Sequence, residues 1–205
     1  MKNRIRILIA LILVVAMGAA LGVIGLQIKK GADELYKLHN ESCAFADMIN
    51  RHHMWRNGLI KAIENMEEFP GSLNPHICAY GNWLKSDVAE GISDPEILAL
   101  MEELLKPHID AHENAIPVVK YIDEGNQDAA MREAAERVFP ELVTVKDLYA
   151  RMGERYAVLI DMQKYSVDRL AFIFLVTTVI FVVFGVSVCI LGTIFFRSGA
   201  KKYEK

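Results

Sequence analysis

The segment Pro75-His76-Ile77-Cys78-Ala79-Tyr80-Gly81-Asn82-Trp83-Leu84 sets a thiol near the start of a predicted helix, with imidazoles before and after it in the chain. Upstream stands His52-x-x-Trp55, with His53 beside it; downstream stands His108-Ile109-Asp110-Ala111-His112. Two histidines four apart share one face of a helix and can grip a single ion. A soft thiolate joined by three imidazoles is a donor set for tetrahedral zinc. Each piece alone is weak, because paired histidines at this spacing are common and a lone cysteine usually serves as a small buried hydrophobe. The combination gains force if three helices packed side by side bring the groups to one point.

The elements that must do this are legible as helices. The region between the apolar ends is rich in Ala, Leu, Met, Glu and Lys and lacks strand-type alternation. One helix is expected to run from the first apolar run to about Glu68, followed by the proline-bounded loop Phe69-Pro70-Gly71-Ser72-Leu73-Asn74-Pro75. A second opens after Pro75 and ends near Gly91, with Gly81 expected to let a neighbouring helix approach closely. Ser93-Asp94-Pro95-Glu96 is a start signal for a third, which extends to about Asp123, with Pro107 and Pro117 as expected kinks and Gly125-Asn126 closing it. A fourth begins near Gln127, with a bend expected at Pro140. Its apolar positions Leu142, Val145, Leu148, Tyr149, Met152, Tyr156, Leu159 and Met162 recur at helical spacing and read as bundle core. The expected fold is all-α, an antiparallel helical bundle flanked by two transmembrane helices.

In order along the chain, His52-x-x-Trp55, Cys78-x-x-Gly81-x-Trp83-Leu84 and His108-x-x-x-His112 resemble the chemoreceptor zinc-binding domain family. The likeness is strong from His52 to His112; in the flanking helices it is one of kind only. It implies a helical bundle whose zinc ligands are His52, Cys78, His108 and His112. It also selects His52 over His53, which a rotation of about 100°, one residue of helical turn, would otherwise exchange. His76 is read as a loop residue, and His39, about 20 Å from His52 along the same helix, as a bystander. The rival to zinc is a disulfide between Cys78 and Cys43. Cys43 lies about 13 Å along the helix from His52, whereas a bridge needs Cα atoms within about 7 Å, so the two readings exclude each other.

Ile7 to Ile28 is an uncharged run of 22 residues and Ala171 to Phe196 one of 26, and about 20 apolar residues cross a bilayer. Lys2, Arg4 and Arg6 precede the first; Arg197, Lys201, Lys202 and Lys205 follow the second. The positive-inside tendency therefore puts both termini in the cytoplasm. The first run is too long for the apolar part of a cleaved signal, which favours a retained anchor. The expected organisation is an N-terminal tip and first span over 1–28, an extracytoplasmic bundle over 29–170, a second span over 171–196, and a short cytoplasmic tail over 197–205. Gly31 to Leu170 carries 14 basic and 25 acidic residues, a net −11, which argues against nucleic acid as a partner.

No HExxH, Glu-x-x-His, CxxCH or phosphate-binding glycine loop is present, and four protein ligands leave zinc no open position for water, so an enzyme is not expected. The resemblance implies a sensor of zinc or of oxidants, placed here in a bacterial inner membrane with its bundle periplasmic or extracellular. Most relatives carry the domain in the cytoplasm. The chain is expected to lack an output domain of its own and to act through a homodimer or a separate membrane signalling partner. Gly18-x-x-x-Gly22 offers a small-residue face of the sort that packs helices in lipid. The alternative is a structural or metal-buffering membrane protein in which zinc staples the bundle.

Overall fold

A computed structural model describes residues 2–200, with side chains at 5, 6 and 8–194, and every regular element among them is helical. The side chains of Lys2, Arg4 and Arg197, and the tail from 201 to 205, lie outside the described residues. Helix α1 is Lys2–Asn65, α2 Ala79–Trp83, α3 Asp87–Glu90, α4 Pro95–Asp123, α5 Gln127–Glu133 and α6 Phe139–Ala200. A π-helical turn, Ala134–Val138, separates the last two. The chain divides into two compact units, one made of Met1–Leu35 with Asp161–Lys205, the other of Tyr36–Ile160.

In the first unit, α1 and α6 are each long and apolar enough to cross a membrane, with windows of mean hydropathy 2.7 and 2.8 in which no residue is buried. Gln163 donates its side-chain amide to the Gly31 carbonyl at 2.9 Å, and a Cβ on Gly31 would meet Val167 at 2.9 Å, so a side chain there would force the pair apart. Gly18 and Gly22 meet nothing within 4 Å.

The second unit is the bundle, and its helix ends follow local chemistry. Helix α1 stops at Asn65, three residues before the expected end, because Met66 turns left-handed at φ 53° and the Glu67 N–H closes back onto the Ala62 carbonyl at 3.2 Å. Gln127 caps the same end by donating to the carbonyls of Ile63 and Glu64 at 3.0 and 2.9 Å. Asp94 caps α4 as its sequence predicts, accepting from the N–H groups of Glu96 and Ile97, with Pro95 in the first turn. Gly125, at φ 73°, ends α4: its own N–H reaches the Ile122 carbonyl and that of Asn126 reaches Tyr121.

One expectation changes. The single helix from Pro75 to Gly91 is instead α2 and α3, because Ser86 caps a new start by accepting from the Ala89 N–H. Helix α4 continues through Pro95–Asp123 with Pro107 and Pro117 inside it. Near Pro140, where a bend is expected, a regular helix would drive the proline ring into the Glu136 carbonyl; the π-helical turn just ahead of it relieves that clash.

Two apolar clusters fill the bundle. One gathers Phe45, Met48, Tyr80, Trp83, Leu104 and Tyr149; the other gathers Trp55, Leu59, Ala111, Val118, Val138 and Leu142. Along α1 the passage between them falls at His52, and along α4 at His108, so the histidines occupy the seam. Arg155 of α6 fastens the first cluster's edge, gripping Asp94 with two bonds of 3.1 and 2.6 Å and reaching Glu96 at 3.2 Å. Arg155→Ala is expected to lower the midpoint of unfolding, since it removes a charged pair and loosens the α4 cap. Thermal unfolding followed by circular dichroism measures it, and Arg155→Lys should restore only part of the loss because it forfeits the two-pronged grip.

Candidate metal centre

Three elements deliver the ligands. α1 brings His52 inward between Met48 and Trp55, and α4 brings His108 and His112, one turn apart, to the same layer. The segment before α2 brings Cys78. All four side chains are buried, and their ligand atoms all lie within 4.8 Å of one another. Cys78 Sγ lies 3.1 Å from His108 Nε2. Tetrahedral zinc bonded at about 2.0–2.3 Å sets its ligand atoms roughly 3.3–3.6 Å apart, so closing the group on an ion requires side-chain adjustments on the order of 1 Å.

Cys78 is held by its own turn. Its extended backbone makes it the N-cap of α2, and Sγ accepts the Gly81 N–H at 3.4 Å while pointing its own hydrogen toward the Pro75 carbonyl at 3.3 Å. The close approach at Gly81 comes from this turn rather than from a neighbouring helix. A Cβ there would lie 2.2 Å from the Pro75 oxygen and 2.7 Å from the His76 carbonyl carbon, both backbone atoms.

The surrounding rings orient the imidazoles. Trp55 stacks nearly parallel to His52 at 5.8 Å and lies 4.5 Å from His112. Its indole N–H donates to the Ser72 carbonyl at 2.7 Å, tying the Phe69–Pro75 loop over the site. Tyr149 meets His52 edge-on at 5.7 Å, and Tyr80 meets His108 at 4.8 Å. Tyr149 sits at core spacing in the sequence while Tyr80 carries no such signal, and only their packing against the imidazoles reveals this role.

A donor set fits a metal when its lone pairs have nothing else to bind. Both ring nitrogens of His52 and of His112 are buried without a hydrogen-bond partner. The Ser72 and Leu73 carbonyls face His112 closely enough to favour its charged form slightly but complete no hydrogen bond. An orphaned buried polar group costs about 1–3 kcal/mol, and such groups are rare in folded proteins. The residues present therefore fit a metal ion that takes one nitrogen from each ring.

Electrostatics prepare the imidazoles. Burial, with His112 and His53 nearby, lowers His52 to about 4. Burial, then His112, His52 and His76, lowers His108 to about 3. Burial lowers His112 to about 4. All three are neutral near pH 7, the form a metal needs. Burial pushes the Cys78 thiol up, against the pull of the Gly81 and Tyr80 N–H groups, so the thiol keeps its proton until a cation displaces it.

The sequence candidates separate cleanly. His52, Cys78, His108 and His112 converge. His53 is half-buried on the neighbouring face, His76 is exposed in the loop, and His39 is exposed with its Nε2 3.7 Å from Cys43 Sγ. Cys43 and Cys78 are both free thiols. A cleft of about 450 Å³ reaches His52 and Cys78 from the surface, bordered by Arg51, Trp55, Phe69 and Ile77, and gives an ion a way in. Compared with known protein families, curated proteins and solved structures, the chain gives no match.

Two outcomes follow. Metal-free protein is expected to lose stability as pH falls from about 6.5 toward 4. The unfolded chain takes up protons on its histidines in that window while the folded bundle, with His52, His108 and His112 at about 4, 3 and 4, resists them. Denaturant titrations across that range measure it, and a flat profile would contradict the buried neutral rings. Gly81→Ala keeps every ligand but displaces the Pro75–His76 backbone, and is expected to weaken metal affinity at least tenfold in a chelator competition assay.

Proposed function

We propose that the chain is a membrane-anchored sensory input domain of the chemoreceptor zinc-binding type, with zinc held by His52, Cys78, His108 and His112. The observation that carries the reading is the buried convergence of four ligand atoms within 4.8 Å, with two imidazoles that have no other partner. Zinc suits one thiolate and three imidazoles better than the harder cations that seek carboxylates and carbonyls. Four protein ligands close its coordination shell, which favours regulation over hydrolysis. The motif order His52-x-x-Trp55, Cys78-x-x-Gly81-x-Trp83 and His108-x-x-x-His112 supports the family reading.

Signalling would proceed through the ligands' own elements. His52 holds α1, the two α4 histidines hold α4, and Cys78 holds the turn before α2; occupancy therefore decides how firmly these pieces are pinned together. Helix α1 carries both His52 and the first apolar run, and α6 carries both Tyr149 and the second. A change in the bundle is passed along these two helices toward the bilayer. The cleft at Cys78 also gives small oxidants a route to the thiolate, whose oxidation would weaken the site. The proposed location is a bacterial inner membrane, with both termini cytoplasmic and the bundle outside. The chain acts there as a non-enzymatic receptor toward a homodimeric or separate signalling partner.

A metal staple is the second reading, and the ligands' place at the seam between the two apolar clusters favours it. One experiment orders these possibilities. Full-length protein in detergent is expected to hold about one zinc per chain by elemental analysis, with little left in Cys78→Ala or His112→Ala. Equal zinc in all three proteins, or none in wild type, overturns the centre. Spin labels on α1 and α4 then report chelation: a shifted but still helical bundle supports a sensor, and loss of helix with the metal supports a staple.

A further inference from the structure

On α1, away from the buried centre, a second thiol and imidazole stand together. His39 and Cys43 are four residues apart and both exposed, with Nε2 and Sγ 3.7 Å from one another. Residues at this spacing share a helix face and can grip one ion. Tetrahedral zinc sets a thiolate and an imidazole roughly 3.5 Å apart, so the pair already stands at the spacing of a bidentate grip.

Two ligands leave half of a tetrahedral shell open, and the same chain does not fill it. Among the described residues, the buried centre is the only place where three or more histidines, cysteines or carboxylates gather around one point. Asp47, the next acid along this face, is engaged by Arg51 at 2.8 Å. Anchorage in a bilayer supplies the missing half. Helix α1 carries the first apolar run as well as this pair, and His39 lies about 16 Å along it beyond Ile28. Two copies in one membrane enter it in the same direction, so their α1 helices run parallel with His39 and Cys43 at matching heights. The face itself suits such a neighbour. Tyr36, His39, Cys43, Ala46 and Asn50 follow the alternating three- and four-residue spacing of a parallel helix seam, and all five are exposed within the chain. No aspartate, glutamate, lysine or arginine stands among them to repel a second copy.

We propose that a zinc ion bridges two copies of this chain, held by His39 and Cys43 from each. The two-fold pairing makes a shell of two thiolates and two imidazoles with no open position, a set typical of structural zinc. Each thiol gives its proton to solvent as the metal binds, so the bridge forms without any oxidant. The bridge is separate from the buried centre and takes from the proposed function only that α1 is anchored in a bilayer. Its exposure makes it the weaker site: buried zinc stays with the purified protein, whereas the bridge fills from added zinc. Free zinc thereby sets how tightly two copies pair.

The mass of the full-length protein in detergent, followed across a dilution series with and without a reductant, tests this. Added zinc is expected to tighten the dimer about tenfold or more, and a chelator to reverse the effect. His39→Ala and Cys43→Ala should each abolish the zinc effect, and because both positions are exposed the bundle keeps its fold, as circular dichroism would show. Pairing that ignores zinc, or a zinc effect that survives either substitution, overturns the bridge. A dimer that withstands chelator but falls apart in reductant is a disulfide between the two Cys43 thiols, and overturns it as well. A chain that arrives without buried zinc yet pairs through added zinc in this residue-dependent way refutes the buried centre alone and leaves the bridge standing.

Discussion

The bundle is organised by a burial problem. Three imidazoles and a thiol are buried where two apolar clusters meet, and the protein supplies no hydrogen-bond partner for the ring nitrogens of His52 and His112. Apolar side chains of similar volume would fill that layer at less cost, since unpaired buried polar groups each forfeit about 1–3 kcal/mol. A metal ion is the kind of group that could complete such an arrangement from outside the polypeptide. The dependence runs both ways: α1, α4 and the turn before α2 converge on this layer, and a cation that accepted their lone pairs would tie the three together.

The parts nearest the layer make sense as supports for it. Trp55 lies against both His52 and His112 while its indole N–H holds the Ser72 carbonyl, so one residue both orients the rings and fastens the covering loop. Gly81 permits the Pro75–His76 backbone to fold against α2, which sets the direction of the Cys78 thiol. Tyr80 and Tyr149 pack edges against the imidazoles from the first cluster. Farther away, Arg155 and Asp94 lock the start of α4 to α6 without metal. The bundle thus has an ion-pair clamp near one end, apart from the four candidate ligands at the seam.

Low pKa values at the three histidines follow from the same burial. Neutral rings keep their lone pairs for a cation at physiological pH, while the thiol stays protonated until one arrives. Metal uptake near neutrality would accordingly be coupled chiefly to the proton of Cys78.

Much of this was legible in the chain alone. Residue type and spacing gave helices throughout, the capping of α4 by Asp94 and its closure at Gly125, two apolar runs of membrane length, and the four candidate ligands. Those features depend on local chemistry: a carboxylate near free N–H groups, a glycine at positive φ, an uninterrupted apolar stretch. The rest required three dimensions. Nothing local distinguishes a tyrosine that fills a core from one that braces an imidazole, and nothing local shows that Gly81 accommodates its own preceding turn. The split of the Pro75–Gly91 helix at Ser86, and the π-helical turn ahead of Pro140, depend on how the backbone relaxes around neighbours. Only the tertiary structure decided that His52, His108, His112 and Cys78 meet within 4.8 Å while His53, one residue away, faces a different crevice with Arg56 and Lys146. The physical reason is that a helix turns by about 100° per residue, so which imidazole enters the core depends on the rotation that packing imposes on α1.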